Sequence, residues 1–226
     1  MTTVSVIVPA YNEARALPAT LAAVRRLPID EVIVVDDGSS DGTGPTARRC
    51  GAEVVRLPAN QGKGAALSAG LSTARGDVLL LLDADLGASA CEAAKLSEPV
   101  LRDDADVVIG AFSSRGGPSG FGFVQGVARA AIRGMAGLRL QSPLSGQRAV
   151  RRVVLDRVGP LAGGFGVEAA LTIDAARAGF RVVEVPVDMH HRRTGRDLAG
   201  FVHRGRQLAH LLRVLAPRLG RRGPAR

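Results

Sequence analysis

Val78 to Leu86 reads VLLLLDADL, five apolar residues that run into two carboxylates one residue apart. An unbroken run of Val and Leu of this length reads as a strand buried on both faces, and such strands belong to parallel sheets covered by helices. Asp83 and Asp85 then stand at the strand's carboxyl end, where open parallel sheets bind ligands. Two carboxylates on the rim of so apolar a segment are costly without a compensating cation or partner. Hard oxygen ligands suit Mg2+ or Mn2+, ions that also bridge phosphate oxygens. The plainer alternative is that the pair caps the helix that follows.

Outward from this strand, short β-rich runs alternate with helical patterns. Val4–Val8, Glu31–Val35, Glu53–Arg56, Val107–Ile109 and Arg181–Val187 read as further strands. Glu13–Arg26, Thr43–Cys50, Gly64–Arg75, Ser89–Arg102, Val124–Leu138 and Val167–Arg177 read as helices. The alternation predicts an α/β fold with a mostly parallel central sheet and helices on both faces. Pro186 lacks a donor, which puts the last strand at an edge. Gly110 to Gly122 is rich in Gly and Ser and reads as a mobile loop. A final amphipathic helix is expected over Asp197 to Leu215.

Three more polar clusters share the sheet edge of Asp83 and Asp85. Pro9-Ala-Tyr-Asn-Glu13 follows the first strand, Asp36-Asp-Gly-Ser-Ser-Asp-Gly-Thr43 the second, and Asn60-Gln-Gly-Lys-Gly64 precedes the third helix. The carboxylates of Asp36 and Asp37 can accept from a base N–H or ribose hydroxyls, or close an Asx turn, as Asp41 is expected to do. Lys63 between two glycines can approach a phosphate or base closely, or simply mark a surface turn. The spacing of a P-loop is absent, and no G-x-G-x-x-G follows the first strand, which counts against a dinucleotide-dependent dehydrogenase.

The chain has 226 residues, 46% hydrophobic and 23% charged, the usage of an ordinary soluble domain. Aromatic residues are only 3%, with no Trp, which argues against a stacking surface for single-stranded nucleic acid. The net charge is +9, and the segment from His190 to Arg226, with ten Arg and one acid, holds the whole excess. Such a tail suits an anionic membrane surface, nucleic acid or a phosphorylated substrate. It also fits a solvated terminus in a chain where Arg outnumbers Lys 28 to 2. Cys50 and Cys91 form neither a metal-ligand spacing nor a disulfide framework, and a reduced cytosolic setting is the simplest reading. No apolar stretch is long enough to span a bilayer, and no signal peptide is read.

VSVIVPAYNEA, VVDDGSSDGT, NQGKGAAL and LLDADL, in this order and spacing, resemble the family 2 glycosyltransferases of GT-A fold, and among them the dolichyl- and polyprenyl-phosphate sugar synthases. The resemblance covers roughly residues 2 to 189. It implies a Rossmann-like single domain, taken as residues 1–195, followed by a basic helix and tail over 196–226. It implies a nucleoside diphosphate sugar donor with Pro9, Tyr11, Glu13, Asp36 and Asp37 around the nucleoside. Lys63 would lie near the base or phosphates, and Asp83 and Asp85 would hold a metal–diphosphate. Ser145-Gly-Gln-Arg148 stands where those synthases carry Ser-Gly-aromatic-Arg, with Gln147 in place of the aromatic. Gly87 stands where they tend to carry Gln. Pro143-Leu-Ser-Gly146, Gly166-Val-Glu168 and His191-Arg192 are similar to later motifs of glucosyl-3-phosphoglycerate synthases. By that likeness Glu168 would contact the sugar and His191 would join Asp85 on the metal. Otherwise Glu168 is a helix N-terminal charge favoured by the dipole, and His191 a solvated basic residue.

The chemistry this implies is transfer of a sugar as the nucleoside diphosphate leaves. Mg2+ or Mn2+, Lys63 and Arg192 or Arg193 would neutralise the leaving group. An ionised phosphate acceptor needs no base, whereas a sugar hydroxyl would, with Glu168 the candidate. Arg115, Arg129 and Arg133 flank the Gly-rich loop and could receive an acceptor phosphate. The leading expectation is a polyprenyl-phosphate acceptor, with the basic helix resting on the inner face of the membrane. A soluble phosphorylated or secondary-metabolite acceptor stands beside it. The alternatives of another class are a nucleotidyltransferase, which would release pyrophosphate, and a non-catalytic nucleotide-sugar binder. No nucleic-acid partner is expected, and the oligomeric state, a homodimer among the options, is left open.

Overall fold

The computed structural model describes residues 2–112, 122–162, 164, 166–190 and 208–219. Its strands are β1 (Val4–Ala10), β2 (Glu31–Asp36), β3 (Glu53–Arg56), β4 (Val78–Leu81), β5 (Val107–Phe112), β6 (Arg148–Arg151) and β7 (Val182–Val187). Its helices are α1 (Leu17–Val24), α2 (Thr43–Arg49), α3 (Lys63–Thr73), α4 (Ala94–Leu101), α5 (Gly122–Ala136), α6 (Arg152–Val158), α7 (Val167–Arg177) and α8, residues 208–215. The sheet order is β3-β2-β1-β4-β6-β5-β7. All neighbours are parallel except β6, which runs antiparallel to both β4 and β5.

The period-two pattern of β1 sorts its side chains between two layers. Val4, Val6, Val8 and Ala10 join Leu17, Leu21 and Val24 of α1 and Leu96 and Val100 of α4 on one face. Ile7 joins Ile33, Val35, Leu79 and Leu81 against Ala66 and Leu67 of α3 on the other. α6 and α7 continue that second layer over β5 and β6. α5 and α8 form an outer shell on α7, with Val124, Ala128, Ile132, Leu211 and Leu215 buried together. The final helix is thus seen from residue 208, its buried side resting on α5 and α7. The part expected before it lies outside the described residues. Among the described residues, no helix is long and apolar enough to cross a membrane.

Four readings of the sequence change. Residues 110–112, read as the start of a loop, complete β5, Gly122 opens α5, and residues 113–121 between them lie outside the described residues. The helix expected from Glu13 begins at Leu17, because Pro18 favours the first turn and the chain winds up to it through a turn closed on the Glu13 carbonyl. The helix expected over Ser89–Arg102 is a 3-10 segment, Gly87–Ala93, followed by α4. Ser89 turns its hydroxyl back onto the Leu86 carbonyl, a local bond that competes with regular α-helix. β6 and α6 were not anticipated. A four-residue strand with Arg at both ends carries no periodic signal, yet Arg148 is only 1% exposed. Burial pushes its guanidinium down to about 10, against the opposing pull of Glu168 and Glu184, so it stays charged at neutral pH. It donates to the carbonyls of Ser145 and Pro143 and to the Thr172 hydroxyl. β7 lies at the sheet edge with Pro186 exposed, as its missing donor requires.

Candidate active site

From β1 the chain proceeds to β2 and β3 on one side and reaches β4 on the other. The order therefore reverses between β1 and β4, and the crevice beyond their carboxyl ends is where such sheets bind ligands. A pocket of about 190 Å³ opens there, lined by Pro9, Ala10, Tyr11, Asp37, Asn60, Gly62, Lys63, Ala66 and Asp83. All four polar clusters of the sequence contribute to this edge or sit directly behind it.

Asp83 is the centre of the arrangement. Its Oδ1 accepts from Lys63 Nζ at 2.7 Å and its Oδ2 from Gln147 Nε2 at 2.6 Å. Its backbone N–H donates to Gln147 Oε1 at 3.0 Å. Lys63 also reaches Glu168 Oε1 at 3.2 Å, so one ammonium joins the β4 carboxylate to the first turn of α7. Burial would lower the Lys63 pKa, but the two carboxylates outweigh it and raise it above the ordinary lysine value. As the first residue of α3, Lys63 places a cation at a helix N-terminus, where the dipole disfavours one. Asp83 and Glu168 offset that cost. A Cβ on Gly146 would lie 2.3 Å from Lys63 Nζ and 3.1 Å from both Asp83 oxygens, so only glycine leaves this cluster its room.

Asp85 is half-buried two residues on, beyond the end of β4. The turn carrying it is held from α1: the fully buried Thr20 hydroxyl donates to the Ala84 carbonyl at 2.7 Å and accepts from Gly87 N–H at 2.9 Å. Gly87 has φ +57°, the left-handed region that a side chain there would resist.

Asp36 and Asp37 are both buried and both engaged within the chain. Asp36 accepts from Ser39 N–H and from Arg56 Nη1 at 3.0 Å. Asp37 accepts from the N–H groups of Gln61 and Gly62, each at 2.8 Å, and so ties the Lys63 loop to the end of β2. Only Asp37 lines the pocket. Asp41 takes the N–H of Thr43 and of Ala14, and Glu13 donates its N–H to the Thr43 hydroxyl. Tyr11 is half exposed at the pocket wall.

Arg129 and Arg133 are exposed on α5. Arg129 forks onto the Gln141 carbonyl, while Glu184 receives the N–H groups of Gln141 and Ser142. Arg115, His191 and Arg192 lie outside the described residues. The chain before His191 runs beside the segment after Asp85: His190 N–H donates to Ser89 Oγ and Asp188 N–H to Glu92. Among the described residues, no three His, Cys, Asp or Glu side chains group as a metal cage.

Sequence reading missed Thr20 altogether and saw Gln147 only as a departure from an aromatic. Neither carries a local signal. Gln147 reaches Asp83 through the β4–β6 register, in which Leu81 faces Arg148, and Thr20 reaches the turn from a helix 64 residues away in sequence.

The model for glycosyl transferase family 2 matches residues 5–159. An undecaprenyl-phosphate mannosyltransferase of Micrococcus luteus is 35% identical over 208 residues, covering 84% of each chain. A glucosyl-3-phosphoglycerate synthase of Mycolicibacterium paratuberculosis is 34% identical over 76% of this chain, which spans only 59% of that enzyme's length. Among solved structures, glucosyl-3-phosphoglycerate synthase of Mycobacterium tuberculosis with Mn2+, UDP and phosphoglyceric acid matches with a TM-score of 0.81 at 29% identity. That match covers 97% of this chain and 79% of the other. The same enzyme with Mg2+ and UDP gives 0.81 at 28% identity, covering 97% and 80%.

Proposed function

We propose, from the premise that this chain belongs to glycosyl transferase family 2 and is a glycosyltransferase that uses a nucleotide sugar, that it transfers the sugar to a phosphate-bearing acceptor, in the first place a polyprenyl phosphate. The observation that carries the donor side is the meeting of Asp83, Lys63 and Asp37 at the β1–β4 crevice of a GT-A fold, with Asp85 two residues beyond Asp83 on the same turn. On this reading the nucleoside rests against Pro9, Tyr11, Glu13 and the Asp36–Asp37 turn, with Asp37 the member that lines the pocket. The diphosphate lies toward Lys63 and the Asp83–Asp85 turn.

The residues present fit Mg2+ or Mn2+. Such ions take hard oxygens and keep open positions for substrate phosphates and water, so two carboxylates suffice without a protein cage. Asp85 would be the direct ligand, with His191 beside it, and Asp83 would lean on the same ion. When bound, the ion supplies charge neutralisation to the departing diphosphate. Lys63 does the same from the α3 side, and Arg192 from the segment after β7. Glu168, 8% exposed and paired with Lys63, would face the sugar hydroxyls.

The acceptor reading rests on the mannosyltransferase relative, which covers this chain and is covered by it equally, and on the ten Arg after Met189. Arg115, Arg129 and Arg133 would receive the phosphate, and the basic tail would hold the protein to an anionic membrane face. The structural neighbours favour a second reading, a small phosphorylated acceptor such as a phosphoglycerate. Offering labelled UDP- and GDP-sugars with decaprenyl phosphate or 3-phosphoglycerate tests the choice. Label moving into the lipid fraction alone is expected. Label moving only into the phosphoglycerate would replace the lipid reading, and movement into neither would remove the phosphate acceptor.

A further inference from the structure

Gln147 stands where the resembled synthases carry an aromatic ring, and here it is completely buried with its carboxamide turned on Asp83. We propose that Gln147 is a positioning residue for the donor site: its amide fixes the rotamer of Asp83, so that the carboxylate is already set when metal and diphosphate arrive. The proposal rests on the reading of Asp83 as part of that site.

The argument is one of matched donors and acceptors. Asp83 offers Gln147 one backbone donor and one carboxylate acceptor. A primary amide offers one acceptor and two donors on a single rigid plane. Oε1 takes the N–H at 3.0 Å and Nε2 gives to Oδ2 at 2.6 Å, and only this orientation of the amide satisfies both. Two bonds from one plane to the main chain and side chain of the same residue leave Asp83 little freedom about χ1 and χ2. Oδ1 is thereby presented to Lys63. An aromatic ring could fill the space but could hold neither group, and an aliphatic side chain would leave both unmet.

The clamp has its own support. The Gln147 carbonyl accepts from Gly110 N–H at 2.9 Å, and its N–H reaches Ser145 Oγ at 3.3 Å. Arg148 pins the carbonyls of Ser145 and Pro143 on the approach to Gln147. β6 runs antiparallel to β4, so its first residues arrive at the carboxyl end of β4, beside Asp83. The neighbouring Gly146 adds no side chain between Lys63 and Asp83.

Partners that orient a metal-site carboxylate typically change metal affinity or activity 10–100-fold when removed. The test uses full-length Gln147→Leu and Gln147→Met with Asp83→Asn and the double variant Asp83→Asn/Gln147→Leu. Mn2+-dependent binding of UDP and GDP is followed by calorimetry, beside donor kcat and KM. The expected result is that folded Gln147 variants need about 10–100-fold more Mn2+ for half-maximal nucleotide binding. Their kcat/KM should fall by a like factor and recover in part at high Mn2+. Adding Gln147→Leu to Asp83→Asn should cost little more in Mn2+ dependence, because the carboxylate whose rotamer the amide sets for the metal has then gone. Folded variants with Mn2+ dependence and donor KM within about twofold of wild type would overturn the proposal. So would failure of both variants to fold, which would assign Gln147 to the core. If Asp83→Asn is equally without effect, the reading of the site falls as well, which separates the two failures.

Discussion

At Lys63 a local rule is broken. A cation opens α3 where the dipole favours an anion, and it is drawn toward Asp83 and Glu168, residues 20 and 105 positions further along the chain. Proteins keep such exceptions at functional sites, and here the exception lies on the side of the crevice where we propose the diphosphate. The residues that touch this cluster divide by how far their cause lies from them. Asp83, Asp85 and Lys63 were legible in the sequence because each closes or opens an element and sits in a polar run beside an apolar one. Asp37 was legible as a candidate site residue, but its use in anchoring the Lys63 loop was not, since the N–H groups it accepts come from Gln61 and Gly62. Gly146 and Gln147 were legible only as a motif, because what they touch is decided by strand pairing across 64 residues.

Among the elements, the parallel part of the sheet followed from apolar runs bounded by turns, and β1, β2, β3 and β4 were all found. β6 was not, because a strand of four residues with charged ends gains its place only from its two neighbours. α1 does more than cover the sheet. Through Thr20 it holds both ends of the turn on which Asp85 rides. Replacing this hydroxyl by a methyl of equal size in Thr20→Val leaves the Ala84 carbonyl and the Gly87 N–H without it. The expected loss is about 1–3 kcal/mol of stability, read as a lower urea midpoint at unchanged slope. A higher Mn2+ requirement for nucleotide binding should accompany it. An unchanged midpoint and Mn2+ requirement would detach α1 from the site.

On the scale of the molecule, the two edges of the sheet do different work. The carboxyl ends of β1 and β4 open on the crevice of the candidate site. At the opposite edge Asp103 and Asp106 bind Arg151 and Arg181, a cluster that joins β5, β6 and β7 away from that crevice. Arg181, with burial opposing only in part, holds the Asp106 carboxyl below its usual range. Its folded pKa is therefore lower than its unfolded one. The stability it lends is complete above about pH 4 and is lost as pH falls from there through the lower folded value. Asp106→Asn should lower the melting temperature at pH 7 by the equivalent of about 2 kcal/mol. The gap to wild type should close as pH falls below about 4. A gap that stays constant with pH would place the effect in packing instead of charge. Net charge follows the same division in sequence: the balanced body builds the sheet, and the whole excess of +9 lies after Met189.

We propose that Asp83 and Asp85 at the end of β4 hold a metal under the donor's diphosphate. Nucleoside diphosphate and pyrophosphate release should be measured from a panel of UDP-, GDP- and TDP-sugars, with and without Mn2+, for wild type and Asp85→Ala. The prediction is Mn2+-dependent release of nucleoside diphosphate, without pyrophosphate, from at least one donor. Asp85→Ala should reduce it by about two orders of magnitude or more. Release of pyrophosphate, or release of nucleoside diphosphate that neither Mn2+ nor Asp85→Ala alters, would contradict it.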